Sequence, residues 1–151
     1  MFKNLLLCHE GSGRGRNVLA QGAQLAVLLG ARVHVLSIVG RESTSPVVMA
    51  SVAGYPCFAD EASDCQRMLD ESVELIRARG IAARGYLAHG NYLEQIAAYA
   101  KKLEIDLIVI SDYPGSGPRR WWSSAARASL AEVVSCCILV AGRHDDRSNA
   151  A

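Results

Sequence analysis

The chain has 151 residues, 50% of them hydrophobic, which is the size of one domain with enough apolar material for a proper core, and no second domain need be invoked. Sixteen basic residues stand against fifteen acidic ones, a formal net charge of +1, so no global field exists to recruit nucleic acid or an anionic membrane. The start, Met1-Phe-Lys-Asn-Leu-Leu-Leu-Cys8, lacks the apolar length and cleavage site of a signal peptide, and no run approaches the roughly 18 apolar residues of a membrane span, so the expectation is a soluble cytoplasmic protein.

Leu5 to Cys8 reads as a first buried strand that ends in His9-Glu-Gly-Ser-Gly-Arg-Gly15. A helix over residues 16–29 follows, because Val18, Gly22, Leu25 and Leu29 recur at helical spacing, widened by Leu19 and Ala26. Gly30 is its stop. Arg32-Val-His-Val-Leu-Ser-Ile38 is a second strand, completing a βαβ unit that predicts parallel neighbours joined by a right-handed crossover. Residues 41–59 are irregular, with turn signals at Ser43-Thr-Ser-Pro46 and Gly54-Tyr-Pro56 around the apolar island Val47-Val-Met49, and a loop of that length suggests an interface or a lid. Asp60 or Ser63 can cap the next helix, which runs to residue 79 with Met68, Leu69, Val73 and Ile76 inward and Gly80 as its end. Residues 82–87 form a modest third strand, His89-Gly90-Asn91 a turn, and Asn91 an N-cap.

Leu93, Ile96, Ala97, Ala100 and Leu103 make the inward stripe of the following helix, with Glu94, Lys101 and Lys102 on its wet side. Asp106-Leu-Ile-Val-Ile-Ser111 is a continuous apolar run too short for a helix, the mark of a strand buried on both faces. The loop Tyr113-Pro-Gly-Ser-Gly-Pro118 comes next. A helix over residues 123–135 presents Ala126, Leu130, Val133 and Val134, residues 136–141 form the last strand, and residues 143–151 read as a disordered tail.

Five strands alternating with four helices predict an α/β, doubly wound, all-parallel sheet in the order 3-2-1-4-5 with helices on both faces. The ligand crevice then lies where the loops after Cys8 and Ser111 face each other. The last strand is an almost wholly apolar edge, so a homodimer paired through residues 136–141 is expected. Of the five cysteines, Cys8, Cys136 and Cys137 fall inside strand runs and read as small buried hydrophobes, whereas Cys57 or Cys65 could sense redox state. Cys136 and Cys137 point to opposite faces, which argues against a disulfide or a shared metal between them. His34 reads as a packed strand histidine, and with His9, His89 and His144 scattered, no structural metal is expected.

These pieces together resemble the universal stress protein family over essentially residues 2–141. The likeness rests on Leu5-Leu-Leu-Cys-His-Glu-Gly-Ser12, on Leu25-Ala-Val-Leu-Leu-Gly-Ala-Arg-Val-His-Val-Leu36, on Gly90-Asn-Tyr-Leu-Glu-Gln-Ile96 and on Asp106-Leu-Ile-Val-Ile110. It implies the same 3-2-1-4-5 Rossmann-like sheet, of the adenine nucleotide alpha hydrolase type, and dimers paired through the fifth strand. It also implies a nucleotide site formed by Glu10, Gly11, Ser12, Ile38, Ser111, Gly115, Gly117, Ser123 and Ser124. ATP-binding members carry Gly-x-x-Gly after the fourth strand, then nine residues, then Gly-Ser or Gly-Thr. In this chain those positions hold Ser111, Pro114 and Ser124-Ala125, so all three glycines are missing, and Pro114 also lacks the backbone N–H that a phosphate would use. Glu10 stands where the family has aspartate. On the other side, Gly115, Gly117, Ser123, Ser124, Arg119 and Arg120 offer the means for a rebuilt anion site.

The expected function is a non-enzymatic stress-response homodimer that works through partner binding, with its crevice degraded or altered. The alternatives are a sensor that binds ATP or another adenine nucleotide, and a weak nucleotide hydrolase drawing on His9, Glu10, Ser12, Ser111 and Asp112. Arg119-Arg-Trp-Trp122 pairs the two residue types that anchor protein interfaces and is the candidate partner contact; without a wider basic surface it makes a poor nucleic-acid site.

Overall fold

Three consecutive leucines, Leu5, Leu6 and Leu7, have no solvent exposure. In a strand, whose side chains alternate between faces, this requires protein on both sides. They belong to β1 (Asn4–His9), the middle strand of a five-stranded parallel sheet. The structure is a computed structural model that describes residues 1–9, 16–40, 57–111 and 124–141. Along the chain, β1 is followed by α1 (Arg16–Leu29), β2 (Arg32–Gly40), α2 (Cys57–Arg77), β3 (Ala83–Gly90), α3 (Tyr92–Lys102), β4 (Leu107–Ser111), α4 (Ser124–Val133) and β5 (Cys137–Ala141). The sheet order is β3-β2-β1-β4-β5 and every pairing is parallel.

Each face of the sheet has its own core. Leu5, Leu7, Val33, Val35, Leu107 and Val109 point to the side where Val18 and Ala26 of α1 and Leu69, Val73 and Ile76 of α2 pack. Leu6, Cys8, Leu36, Ile38, Ile108 and Ile110 point to the other side and meet Ile96 and Ala100 of α3 and Leu130 of α4. The alternation of adjacent residues between these two clusters is the physical reason that the strands are continuous apolar runs. Helices α1 and α2 end on Gly30 and Gly80 at φ 62° and 78°, a left-handed conformation that glycine takes without steric cost. Asn91 caps α3, its side-chain oxygen accepting the Glu94 N–H at 3.2 Å. At Gly85 the backbone of β3 comes so close to α2 that a Cβ would sit 2.9 Å from Val73 Cγ2 and 3.1 Å from Leu69 Cγ.

Where the strands begin, Asp106 holds β1 to the turn before β4. Its Oδ2 accepts the backbone N–H of Lys3 at 2.7 Å and of Asn4 at 2.9 Å. These two bonds keep the Asp106 carboxyl below its ordinary range. No helix among the described residues is long and apolar enough to cross a membrane.

The sheet order, the strand count and α1 agree with the expectations from sequence; several details differ. Helix α2 begins at Cys57, so residues 57–59 belong to it rather than to the irregular loop. His89 and Gly90, read as a turn, continue β3 because they pair with Val39 and Gly40 of β2. Cys137, expected to be buried, is exposed, because β5 has a neighbour on one side only. Val133 is 62% exposed as the last residue of α4, leaving Leu130 as that helix's buried anchor. Residues 41–56 and 142–151 lie outside the described residues.

Candidate functional site

In an open parallel sheet the ligand crevice forms where chain connections leave neighbouring strands towards opposite faces. Here that point lies between β1 and β4. The chain leaves β1 for α1 on one face and leaves β4 for α4 on the other. Leu7 pairs with Val109, so His9 and Ser111 close their strands at the same level.

The described floor of the crevice is apolar. Ile38 is 5% exposed on the α3/α4 face, with Cys8 and Ile110 on the same face of the two central strands. Burial pushes the Cys8 thiol far above its ordinary value, which favours the neutral form. Among the described residues no group of three or more His, Cys, Asp or Glu could hold a metal ion. Ser37 is a polar residue that the sequence reading passed over. It is 1% exposed, pairs with His9 of β1, and its Oγ has no hydrogen-bond partner. Such an orphaned buried hydroxyl is uncommon, and its sequence signal is a lone serine in the apolar run Val35-Leu-Ser-Ile-Val39.

Of the candidate nucleotide contacts, Ile38 takes its place in the crevice floor, Ser111 is the last residue of β4, and Ser124 is the first of α4. Glu10, Gly11, Ser12, Gly115, Gly117 and Ser123 lie outside the described residues, as do Asp112, Pro114, His144 and the Arg119, Arg120, Trp121, Trp122 patch. His34 is packed as expected, its ring 5.8 Å from that of Tyr86. Cys136 is partly buried and Cys65 half-buried; Cys8, Cys65, Cys136 and Cys137 form no disulfide.

The model of the universal stress protein family matches residues 1–142. No curated protein sequence matches the chain. Among solved structures, the universal stress protein UspA from Lactobacillus plantarum is 17% identical, with 93% of this chain and 97% of that one covered at a TM-score of 0.73. A universal stress protein family protein from Arabidopsis thaliana with AMP bound is 12% identical, covering 98% and 96% at a TM-score of 0.65. The universal stress protein from Archaeoglobus fulgidus in complex with dAMP is 17% identical, covering 93% and 97% at a TM-score of 0.59. At these identities the likeness to solved structures concerns the fold.

Proposed function

The chain belongs to the universal stress protein family, and on that premise we propose that it acts without catalysis, as a homodimer paired through β5 that serves the stress response by binding a protein partner, its nucleotide crevice altered from the ATP-binding pattern. The observation that carries this reading is the β5 edge. Among the described residues the strand pairs with β4 alone, and it leaves Leu139 42% and Val140 39% exposed, one on each face of the sheet. An apolar edge with unpaired backbone groups is a template for another strand, and a second copy of the same edge closes it by twofold symmetry. Arg119, Arg120, Trp121 and Trp122 are the proposed anchor for the partner.

The register of β4 supports an altered crevice. Ser111 pairs with Ala141 as the last ladder residue, and by the resemblance in sequence it stands where ATP-binding members carry their first phosphate-loop glycine. Ser124-Ala125 opens α4 where ATP-binding members have Gly-Ser or Gly-Thr. Pro114 removes one backbone donor between them.

The structures with AMP and dAMP bound favour a second reading, an adenine-nucleotide sensor on the same fold. Nucleotide released from the purified protein on denaturation, together with calorimetric titration of ATP and magnesium, separates the two. Absence of nucleotide and of binding heat is the expected result. Tight binding without turnover would replace the first reading with the sensor; turnover lost in Glu10→Ala would point to a weak hydrolase. Light scattering at micromolar concentration should give the mass of a dimer, and a monomer would count against the β5 pairing.

A further inference from the structure

At the end of the sheet where the strands begin, far from the crevice, the α3 face of β2 and β3 carries a basic and aromatic group with no acidic partner. His34 pairs with Arg84 and Leu36 with Tyr86 in the β2–β3 ladder. Side chains two apart share a face, so Arg32 and His34 stand on the same side as Arg84 and Tyr86. Leu36 and Tyr86 place that side against the α3 core.

The aromatic part is a fixed ladder. His34 Nδ1 lies 3.3 Å from the Tyr86 hydroxyl, and the Tyr86 ring is 5.4 Å from that of Tyr99 on α3. The Lys102 ammonium sits 5.7 Å over the Tyr99 ring. His34 Nε2 is buried without a hydrogen-bond partner. Beside it, Arg84 stands directly across the ladder and Arg32 two residues earlier on the same strand, both exposed.

Charge on this face is one-sided. The ion pairs among the described residues are Arg67–Asp64 and Arg77–Glu74, both on α2, which packs on the opposite face. The acidic groups that the register brings towards Arg32 are Asp106 and Glu104. The Asp106 carboxylate already accepts two backbone N–H groups, and Glu104 lies in the turn before β4. Burial, then Arg84, then Arg32 lower the His34 pKa from its ordinary 6.5, so the imidazole is kept neutral between two cations. Two exposed arginines on one face of the β2–β3 ladder, two residues apart in register, can serve one phosphate, whose oxygens accept forked, charge-assisted hydrogen bonds.

We propose that Arg32 and Arg84 bind a phosphate group, free or as a phosphomonoester, on the α3 face of β2 and β3, beside the His34–Tyr86–Tyr99 ladder. The site lies about 20 Å along β2 from the crevice floor, at roughly 3.3 Å per residue from Arg32 to Ile38. A ligand there does not compete with one at the strand ends. The bound anion offsets the two cations, so His34 accepts a proton more readily when the site is filled, and by reciprocity protonation of His34 favours an anion of unchanged charge. The groups that face His34 in this equilibrium are Arg32 from β2, Arg84 and Tyr86 from β3, and, through Tyr86, Tyr99 and Lys102 from α3.

The test is an NMR titration of the full chain with sodium phosphate, against sodium chloride at matched ionic strength, and then with glycerol 1-phosphate. Saturable shifts confined to the surroundings of Arg32, His34, Arg84 and Tyr86 are expected, with the His34 titration midpoint moving upwards. Arg84→Gln and Arg32→Gln should each weaken binding about tenfold or more, the loss of a hydrogen bond to a charged group. Arg84→Lys should fall between the wild type and Arg84→Gln, and Arg79→Gln, an exposed arginine elsewhere, should bind like the wild type. Response to both phosphates assigns the phosphomonoester class, and response to inorganic phosphate alone assigns the free anion. Shifts that chloride reproduces, shifts spread evenly over the surface, or affinity unchanged in both glutamine variants would overturn the site. The undisturbed remainder of each spectrum reports that the variant is folded, and either glutamine variant alone suffices for the comparison.

Discussion

The two edges of the sheet solve the same problem in opposite ways. Strand β5 is short and apolar, Cys137-Ile-Leu-Val-Ala141, and its outward residues are open to solvent. Strand β3 is longer, carries Arg84 and His89 on its exposed positions, and is pressed by α2 so closely that a Cβ at residue 85 would crowd Val73 and Leu69. Charge on an edge strand discourages unwanted pairing, whereas an apolar edge invites it. The difference teaches that composition alone sets the two edges apart: β5 presents the apolar rim that the proposed pairing needs, and β3 the charged one that the proposed phosphate site needs.

The comparison can be broken or sharpened from the strongest effect downwards. Leu130, with no exposure, holds α4 over β4 and β5, and Leu130→Ala should cost about 2–5 kcal/mol of unfolding free energy in urea titration. On the other edge, Gly85→Val places carbon within 2.9 Å of Val73 Cγ2, and a loss of about 1–3 kcal/mol is expected from overpacking. Neutral behaviour there would mean that α2 is not pressed on β3. Leu139→Lys should leave the monomer fold intact while raising the dimer dissociation constant about tenfold or more, by analogy with buried interface charges; sedimentation analysis reads it, and an unaltered dimer would move the interface elsewhere. Asn91→Ala removes the cap of the helix that follows β3 and should cost about 1 kcal/mol by thermal or urea unfolding.

The smallest effect is a pH slope. His34 has a lowered folded-state pKa, so the unfolded chain binds its proton more readily. Stability should therefore fall as the pH drops through 6.5 towards the folded value and level off below it. Asp106 is also lowered, from 3.8, and contributes stability that is present above that value and lost as the pH falls through the folded one. The His34 window opens at 6.5 and that of Asp106 at 3.8, so in unfolding measurements His34→Gln should flatten the upper slope. A slope above pH 5 that survives this change would have another source.

Much of this architecture was legible because its signals are local. Apolar spacing and Gly30 delimit α1, Asn91 caps α3 as its side chain allows, and buried runs at residues 5–8 and 107–110 mark the central strands. The misses are tertiary. His89-Gly90 looks like a turn, but eight ladder pairs with β2 carry the strand through it. Cys57 opens α2 although the capping residues Asp60 and Ser63 come later, because a cap signal marks a favourable start and does not forbid an earlier one. Cys137 has the composition of a core residue and the position of an edge one. At the crevice, Ile38 was legible from its place in β2. The basic face of β2 and β3 was not, since Arg32 and Arg84 are 52 residues apart and only the register joins them.

The clasp between Asp106 and the amides of Lys3 and Asn4 spans a sequence separation of 103 and 102 residues, and this has a consequence for how the chain is made. The first strand to leave the ribosome finds β2 soon, across a short connection, but its other side waits for β4. At about 5–20 residues per second, that delay is on the order of 5–20 s. For that interval a strand whose three leucines are fully buried in the finished sheet has one side bare. Closure of the sheet centre is thus a late, long-range event of the kind that slows folding, and the nascent protein has most need of a chaperone before residue 106 emerges.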